Sequence, residues 1–517
     1  MIVVRSFDYA VYNGFAQDDT ELVDCQSFII QHFFSSVLIK LRFCGNIRKN
    51  KRKENVMKKL RFLLALWASK TCLRLLRMLK RNATCTPGKI ALAIDKKFLG
   101  GLTLPKTVIA VTGTNGKTTV SNLLTDILTK NGYRVTNNSL GSNIQAGIAS
   151  ALLEDSTLTG KAKKDIAVLE VDERSSLLVY PYVKPDYLVC NNIMRDSIKR
   201  NAHTEFISYI ISTALPQTTK VVLNGDDLNA ASLAKQCTER IYFGVEAEKP
   251  ETTNEPFISD VVYCPDCGGK LENEYLRYNH IGRMYCPGCG LTSPALSFAV
   301  TAIDRENSTF TVRTPAGEDT YSLISDNIVN VYNSCGAIAL LTQLGLSFEQ
   351  ISRGFDAGKI VKSRFDRVEV AGRTLVQLMA KGQNPIACAR CFDYIAGLPG
   401  ENKGLIISED DVEDNTGNSE SVCWLYDCDY SYLKSDSITQ IVFAGPRCRD
   451  HLLRARLAGV DTNKIRLEPD TLKAADALDL DACRDIYLLH DMYRAADTAV
   501  VKKAIISRLE GGQGHEN

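Results

Sequence analysis

Two kinds of pattern alternate along most of the chain. Short unbroken apolar runs, as in "KTVIAVTG" (106–113), "KDIAVLEVDE" (164–173), "DYLVCNNI" (186–193) and "KVVLNGDD" (220–227), predict buried parallel strands. "YRVTNN" (133–138) predicts a further strand. Between them lie stretches with apolar residues three and four apart. "KTTVSNLLTDILTKNG" (117–132) predicts a helix closed by Gly132. This alternation implies an open sheet with helices on both faces. A β-rich stretch (310–325) and a helical one, "NVYNSCGAIALLTQLG" (330–345), follow.

From about residue 356 the text changes. "AGKIVKSRFDRVEVAGRTLVQLMAKG" (357–382) reads as a linker into a new strand. "KGLIISED", "QIVFAGP" and "DIYLLHD" are three strands separated by helical text. The expected organisation is an N-terminal segment over 57–105, a central α/β domain over 106–355, a linker over 356–372 and a smaller α/β domain over 373–517.

The N-terminal end reads differently. Residues 1–56 run from an apolar stretch into a basic one, with no turn grammar leading onward, and are expected to be an upstream extension with Met57 as the true start. "MKKLRFLLALWASKTCLRLLRMLKR" (57–81) is a basic amphipathic helix. It has two readings: a helix packed on its own domain, or one that also rests on an anionic membrane surface. No apolar segment is long enough to span a bilayer, and no signal peptide is expected.

Composition narrows the picture. The 517 residues are 45% hydrophobic and 24% charged, as in an ordinary globular chain. The 62 basic and 60 acidic residues leave a net charge of +2, which argues against a dedicated nucleic-acid binder. Seventeen cysteines without disulfide-like spacing fit a reducing, cytoplasmic setting.

Two constellations carry chemistry. In "IAVTGTNGKTT" (109–119) a strand enters a Gly-rich turn and leaves as a helix. Gly113, Thr114, Asn115 and Gly116 shape a loop whose N–H groups and helix N-terminus suit phosphate. Lys117 is placed to reach the β/γ-phosphates, the Thr118 hydroxyl to bind Mg²⁺, and Thr119 completes the ATP loop. Val111 stands where the strict pattern has its first glycine. Glu170, near the end of "VLEVDE", is the candidate second Mg²⁺ contact, with Asp172 and Glu173 as competitors; a solvated acidic turn is the plain alternative. Cys264, Cys267, Cys286 and Cys289 form C-x₂-C-x₁₈-C-x₂-C, a Cys₄ zinc spacing, within an insert over 261–295. Gly268 and Gly290 permit the turn after each second cysteine. His280 is expected to be a surface or packing residue. Lys270, Arg277 and Arg283 are balanced by Glu272 and Glu274, so the ribbon has no basic face. Its expected task is structural.

The loop, the ribbon and the domain order together resemble the MurT family, the Mur-ligase-like subunit of lipid II isoglutaminyl synthase. The resemblance runs from about Met57 to about residue 500. It rests on the segment 60–92, the loop and following Gly/Asn stretch over 111–153, the ribbon with "HIGRMYCPGCG", and "NIVNVYNSCGAIAL" (327–340). It implies a Mur-ligase ATPase domain carrying a Cys₄ zinc ribbon and a smaller C-terminal Mur-ligase-type domain. It implies Asn333 beside the nucleotide, and ATP, Mg²⁺ and Zn²⁺ as cofactors. The family's reaction is ATP-dependent amidation of the α-carboxylate of D-glutamate in the lipid II stem peptide, through an acyl phosphate. Ammonia comes from a GatD-like glutaminase, expected as the other half of a heterodimer, and the inner face of the membrane is one place of action. "CWLYDCDYSYL" (423–433) resembles the segment whose aspartate completes the partner's Cys–His pair; Asp427 is preferred and Asp429 is the alternative.

Departures lie in the C-terminal half, as "AKGQNPIACAR", "SEDDVEDNTGNSE", "SRFDR" and "LHDMY". They concern the substrate and partner surfaces. A stand-alone Mur-type amino-acid ligase and, further off, a zinc-ribbon nucleic-acid-binding ATPase are the competing readings.

Overall fold

A computed structural model describes residues 51–80, 84–139, 142–195, 203–250, 257–325, 327–356, 365–380, 384–409, 422–491 and 494–511. Residues 1–50 of the expected extension, 357–364 of the expected linker, and most of "SEDDVEDNTGNSE" lie outside the described residues. The chain contains two compact units, Arg52–Lys362 and Ser363–Asn517.

The first unit is built on a nine-stranded sheet. Its strands are β1 (Thr107–Thr112), β2 (Val135–Asn137), β3 (Ile166–Glu170), β4 (Tyr187–Cys190), β5 (Lys220–Asn224), β6 (Arg240–Val245), β9 (Phe298–Asp304), β10 (Thr309–Thr314) and β11 (Gly317–Ser322), in the order β11-β10-β9-β6-β5-β4-β1-β3-β2. From β2 to β9 every pairing is parallel; β9, β10 and β11 close the sheet as an antiparallel meander. β1 lies between β3 and β4, with Val108, Ile109, Ala110 and Val111 all buried. The strand order reverses there, so a crevice opens beyond the carboxyl ends of β1, β3 and β4, where ligands sit in folds of this type. β7 (Glu272–Tyr278) and β8 (Ile281–Tyr285) form a separate antiparallel hairpin inside the ribbon.

The N-terminal basic helix, Lys51–Met78, belongs to this unit. Phe62, Ala65, Leu66 and Leu73 join the core that covers one face of the sheet. Phe62 stacks on Phe98 with ring centroids 5.4 Å apart. Its ring also occupies the space beside Gly101 and Gly160, where an added Cβ would meet it at 2.3 and 2.6 Å. The packed-helix reading is therefore correct for one face.

The second unit has a six-stranded sheet. Its strands are β12 (Phe365–Val370), β13 (Arg373–Met379), β14 (Lys403–Ser408), β15 (Ile438–Ala444), β16 (Ile465–Glu468) and β17 (Asp485–His490), ordered β12-β13-β17-β14-β15-β16. The three apolar runs read from the sequence form its parallel centre. Residues 365–370, read as linker, are instead an edge strand antiparallel to β13. Arg367 and Glu369 are exposed, Val368 is half-buried and Val370 is buried, so the end of the run alternates as a half-solvated strand does; with Asp366 also exposed it lacks the unbroken apolar signal of its neighbours.

Replacing Phe62 by Ala removes a buried ring stacked on Phe98 and leaves a cavity beside Gly101 and Gly160. Chemical denaturation should show a loss of about 3–5 kcal/mol in the first unit.

Candidate active site

The loop after β1 lies in the crevice. Gly113 and Gly116 have φ of +124° and +84°, backbone that glycine adopts readily. A Cβ at Gly113 would approach the Asn192 carbonyl oxygen to 2.9 Å; one at Gly116 would lie 2.2 Å from Asn333 Oδ1. The loop thus has no room for side chains at either position. The helix Lys117–Lys130 starts at Gly116 with no side-chain cap. Its first-turn N–H groups and its dipole therefore face the crevice, which suits an anion.

The wall of the loop comes from residues just after β4. Thr114 N–H donates to the Asn192 carbonyl at 2.9 Å, and Asn115 N–H donates to Asn192 Oδ1 at 2.9 Å. Met194 N–H donates to Thr114 Oγ1 at 2.9 Å, and that hydroxyl donates to the Met194 carbonyl at 3.1 Å. Asn191 Nδ2 donates to Asn333 Oδ1 at 2.8 Å, which joins the helix Ile328–Gln343 to the same wall. Asn333 is thus beside the loop. In the sequence, Asn191 and Asn192 read only as the end of a strand. Their position at the carboxyl end of the strand neighbouring β1 was the available signal.

Lys117 is buried. Its Nζ donates to the Gly113 carbonyl at 2.5 Å and to Glu173 Oε1 at 2.9 Å. Burial opposes its charge, but Glu173, Asp172 and Glu170 outweigh that effect and raise its pKa, so it stays cationic. The three acids are differentiated. Glu173 pairs with Lys117, Asp172 Oδ1 accepts from Arg174 N–H at 3.1 Å, and Glu170 Oε1 accepts from Asn143 Nδ2 at 3.3 Å. Thr118 and Thr119 are half-buried on the first helical turn.

The ribbon brings its four thiols together. The Sγ atoms of Cys264, Cys267, Cys286 and Cys289 all lie within 4.8 Å of one another. Gly268 and Gly290 have φ of +72° and +76°, and each donates its N–H to the first cysteine of its knuckle, Cys264 O and Cys286 O, at 2.9 Å. Four thiols closed around one point fit a tetrahedral structural zinc. The ribbon's apolar core is small, with Val261, Leu271, Leu276 and Met284 packed against Leu228 of the α/β body. Arg277 and Arg283 are spent on backbone carbonyls, Arg277 on Glu248 and Val245 at 2.8 and 2.9 Å, Arg283 on Pro294 and Ser293 at 2.7 and 3.0 Å.

His280 is fully buried, and the surface alternative for it falls. Its Nε2 meets Asp227 Oδ1 at 2.9 Å. Asp227 Oδ2 accepts from Ile193 N–H at 2.6 Å, within the segment that walls the loop. The ribbon is thereby tied to the crevice through one carboxylate. No sequence spacing announces a pair 53 residues apart.

In the second unit, Asp427 ends the 3₁₀ turn Cys423–Asp427 and is half-buried. Asp429 Oδ1 accepts from Ser431 N–H at 2.9 Å, and so serves the next turn.

Comparison with known proteins agrees with this geometry. A model of the Mur ligase middle domain matches residues 111–262, and one of the MurT ligase C-terminal region matches 382–495. The chain is 30% identical over 400 residues to the lipid II isoglutaminyl synthase (glutamine-hydrolyzing) subunit MurT of Staphylococcus aureus strain COL, covering 77% of this chain and 88% of that one. The chain belongs to the MurT family. Its similarity to the corresponding Streptococcus pneumoniae R6 subunit is 28% over 436 residues, 83% of this chain and 94% of that one. Among solved structures, a pseudomurein peptide ligase type C from Methanothermus fervidus superposes with a TM-score of 0.59 at 21% identity, covering 79% of this chain and 81% of that one. MurF of Thermotoga maritima, solved with ADP, gives 0.55 at 15%, covering 83% and 85%. Both show the Mur ligase fold. As a MurT-family member the chain is a Mur-type ligase.

Two outcomes are expected. Purified protein should carry about one zinc per chain; Cys264→Ser with Cys286→Ser should abolish it and lower Tm by roughly 5–10 °C, read by metal analysis and calorimetry. His280→Ala should destabilise the first unit by about 3–5 kcal/mol, because the buried Asp227 carboxylate loses its one side-chain cation and keeps only backbone donors. Burial lowers the His280 pKa, yet Asp227 and Asp260 override it and raise the pKa overall. A raised folded-state pKa gives stability that is fully present below the unfolded value of about 6.5 and is lost as pH rises through the folded value. The stability gap between wild type and His280→Ala should therefore be widest below about pH 6.5 and narrow at higher pH.

Proposed function

We propose that this chain is the ATP-dependent subunit of a two-protein enzyme that amidates the α-carboxylate of D-glutamate in the lipid II stem peptide, giving D-isoglutamine. The observation that carries the reading is the buried, cationic Lys117 at an uncapped helix N-terminus, in a chain related over most of its length to MurT subunits.

A carboxylate is a poor electrophile. Transfer of the γ-phosphoryl group of ATP to one of its oxygens forms an acyl phosphate and ADP. Ammonia then attacks the carbonyl carbon, the C–O bond to phosphate breaks, and phosphate leaves with the electron pair while the nitrogen sheds a proton. Loop N–H groups and the helix N-terminus orient the phosphates, and Lys117 exchanges Glu173 for their oxygens. Thr118 and Glu170 are the residues that would hold Mg²⁺, which neutralises phosphate charge. Glu170 suits this role because it ends β3, the strand paired with β1, at the carboxyl edge of the sheet where the loop lies. Asn333 borders the nucleotide beside Gly116. Zinc in the ribbon has a structural task.

Ammonia is supplied by a GatD-like glutaminase partner, whose catalytic histidine is oriented by Asp427 of this chain. Asp427 is preferred as the first aspartate of the segment that resembles the family's, and Asp429 is the alternative. The subunit works in the cytoplasm on a lipid-linked substrate.

The test is co-expression with the glutaminase and assay of lipid II with glutamine and ATP. Amidated lipid II supports the reading; a complex that hydrolyses ATP and leaves lipid II unchanged refutes it. Asp427→Asn should lower glutamine-dependent amidation by about 10³–10⁴-fold, while amidation fed by added ammonium persists. If Asp429→Asn alone has that effect, Asp429 is the orienting residue.

A further inference from the structure

The helix Lys51–Met78 has a second apolar face. Met57, Leu60, Leu64, Trp67, Leu75 and Met78 are between 39% and 80% exposed. At 100° per residue they fall within an arc of about 80°, centred about 170° from the buried Phe62, Ala65, Leu66, Ser69 and Leu73. The core accounts for one face only. Trp67 shows how the outer face is built: its Nε1–H donates to the Leu158 carbonyl at 2.9 Å, so its one polar atom is satisfied within the protein. The exposed Leu158 side chain extends the stripe onto the adjoining turn.

Cations flank this stripe. Exposed Arg74 and Arg61 lie at its two edges, with Lys59 farther round the helix, and Lys161 and Lys163 lie in the segment after Leu158. Lys58 pairs with Glu54 and Arg77 with Glu154, so neither adds to the free positive charge. Glu54 is the one acid of the helix. Burial first, then the charges of Lys163 and Arg74, push the Lys70 pKa down to about 8 against the opposing pull of Asp155 and Glu154. Among the described residues no helix is long and apolar enough to cross a membrane.

We propose that this outer face docks on an anionic lipid surface, with the helix lying in the plane of the headgroups. An apolar stripe edged by lysine and arginine is the arrangement that enters the headgroup layer while its cations meet lipid phosphates. The choice of lipid over a protein groove rests in part on the lipid-linked substrate proposed above; the stripe and its charges do not.

The vesicle assay uses the full chain without the glutaminase or ATP; ATP binding and glutaminase capture are measured separately. The chain should co-sediment with vesicles of phosphatidylcholine containing phosphatidylglycerol, weakly with phosphatidylcholine alone, and less as salt is raised. Leu60→Ser with Leu64→Ser should weaken binding on the order of tenfold. Lys59→Gln with Arg74→Gln should reduce the preference for anionic vesicles. Calorimetry and ATP binding should be unchanged in both variants. The proposal is overturned if the full chain ignores anionic vesicles, if the stripe variant binds them as well as wild type, or if binding appears only after residues 1–50 are removed. It is equally overturned if the stripe variant changes self-association or glutaminase capture and not vesicle binding. Vesicle binding with no amidation of detergent-dispersed lipid II would refute the catalytic reading alone.

Discussion

The first unit turns on the carboxylate of Asp227. It is fully buried. A carboxylate in that position must be met by donors, since losing them costs several kcal/mol. Four are supplied: Ile193 N–H at 2.6 Å, Asn229 N–H at 2.9 Å, Ala230 N–H at 3.1 Å and His280 Nε2 at 2.9 Å. They come from the wall of the phosphate loop, a short helical turn and the zinc ribbon. One desolvation requirement therefore holds three segments in a single geometry.

This changes what the ribbon is for. A Cys₄ ribbon hung on a surface would stabilise only itself. Here Gly282 N–H donates to the Asp226 carbonyl at 2.8 Å, and Asn279 Nδ2 donates to Asp260 Oδ2 at 2.9 Å. Asp260 in turn pairs with Arg195, one residue past the Met194 that embraces Thr114. Asp226 Oδ2 accepts from Tyr332 Oη at 2.8 Å, next to Asn333 on the helix that borders the loop. The hairpin between the metal knuckles is thus a brace for the far side of the crevice. The four clustered thiols close the brace at its outer end.

The parts legible in the sequence are those whose physics is local. An apolar run that enters Gly113–Gly116 and leaves at Lys117 specifies strand, turn and helix within a dozen residues. The thiol spacing and the glycines at 268 and 290 specify two knuckles. Alternation specified less: "FDRVEV" has the period of a half-solvated strand but is short and charged, and it read as linker. Long-range pairs were illegible. His280 with Asp227, Asn192 with the loop N–H groups, and Glu173 with Lys117 all join positions more than 50 residues apart, and nothing near either partner marks the other. The acids of 170–173 were recognised as a group, and only side-chain geometry separated their roles.

The same reasoning bears on the second unit. The segment 422–434 has little regular structure, yet it is rigidly held. Arg454, buried, donates to the Leu425 and Cys428 carbonyls at 3.1 and 2.8 Å. Tyr430 Oη meets His451 Nδ1 at 2.7 Å, and Arg390 donates to Tyr432 Oη at 2.7 Å. Burial drives the His451 pKa down to about 4, so its ring is neutral at physiological pH and acts as a hydrogen-bonding strut. Trp424, Leu425, Tyr430 and Leu433 anchor the segment in the core. Between these anchors Asp427 and Asp429 occupy fixed positions on short turns. The role proposed for Asp427 depends on that fixity, because a loosely held carboxylate would lose in conformational entropy what a hydrogen bond to another group contributes.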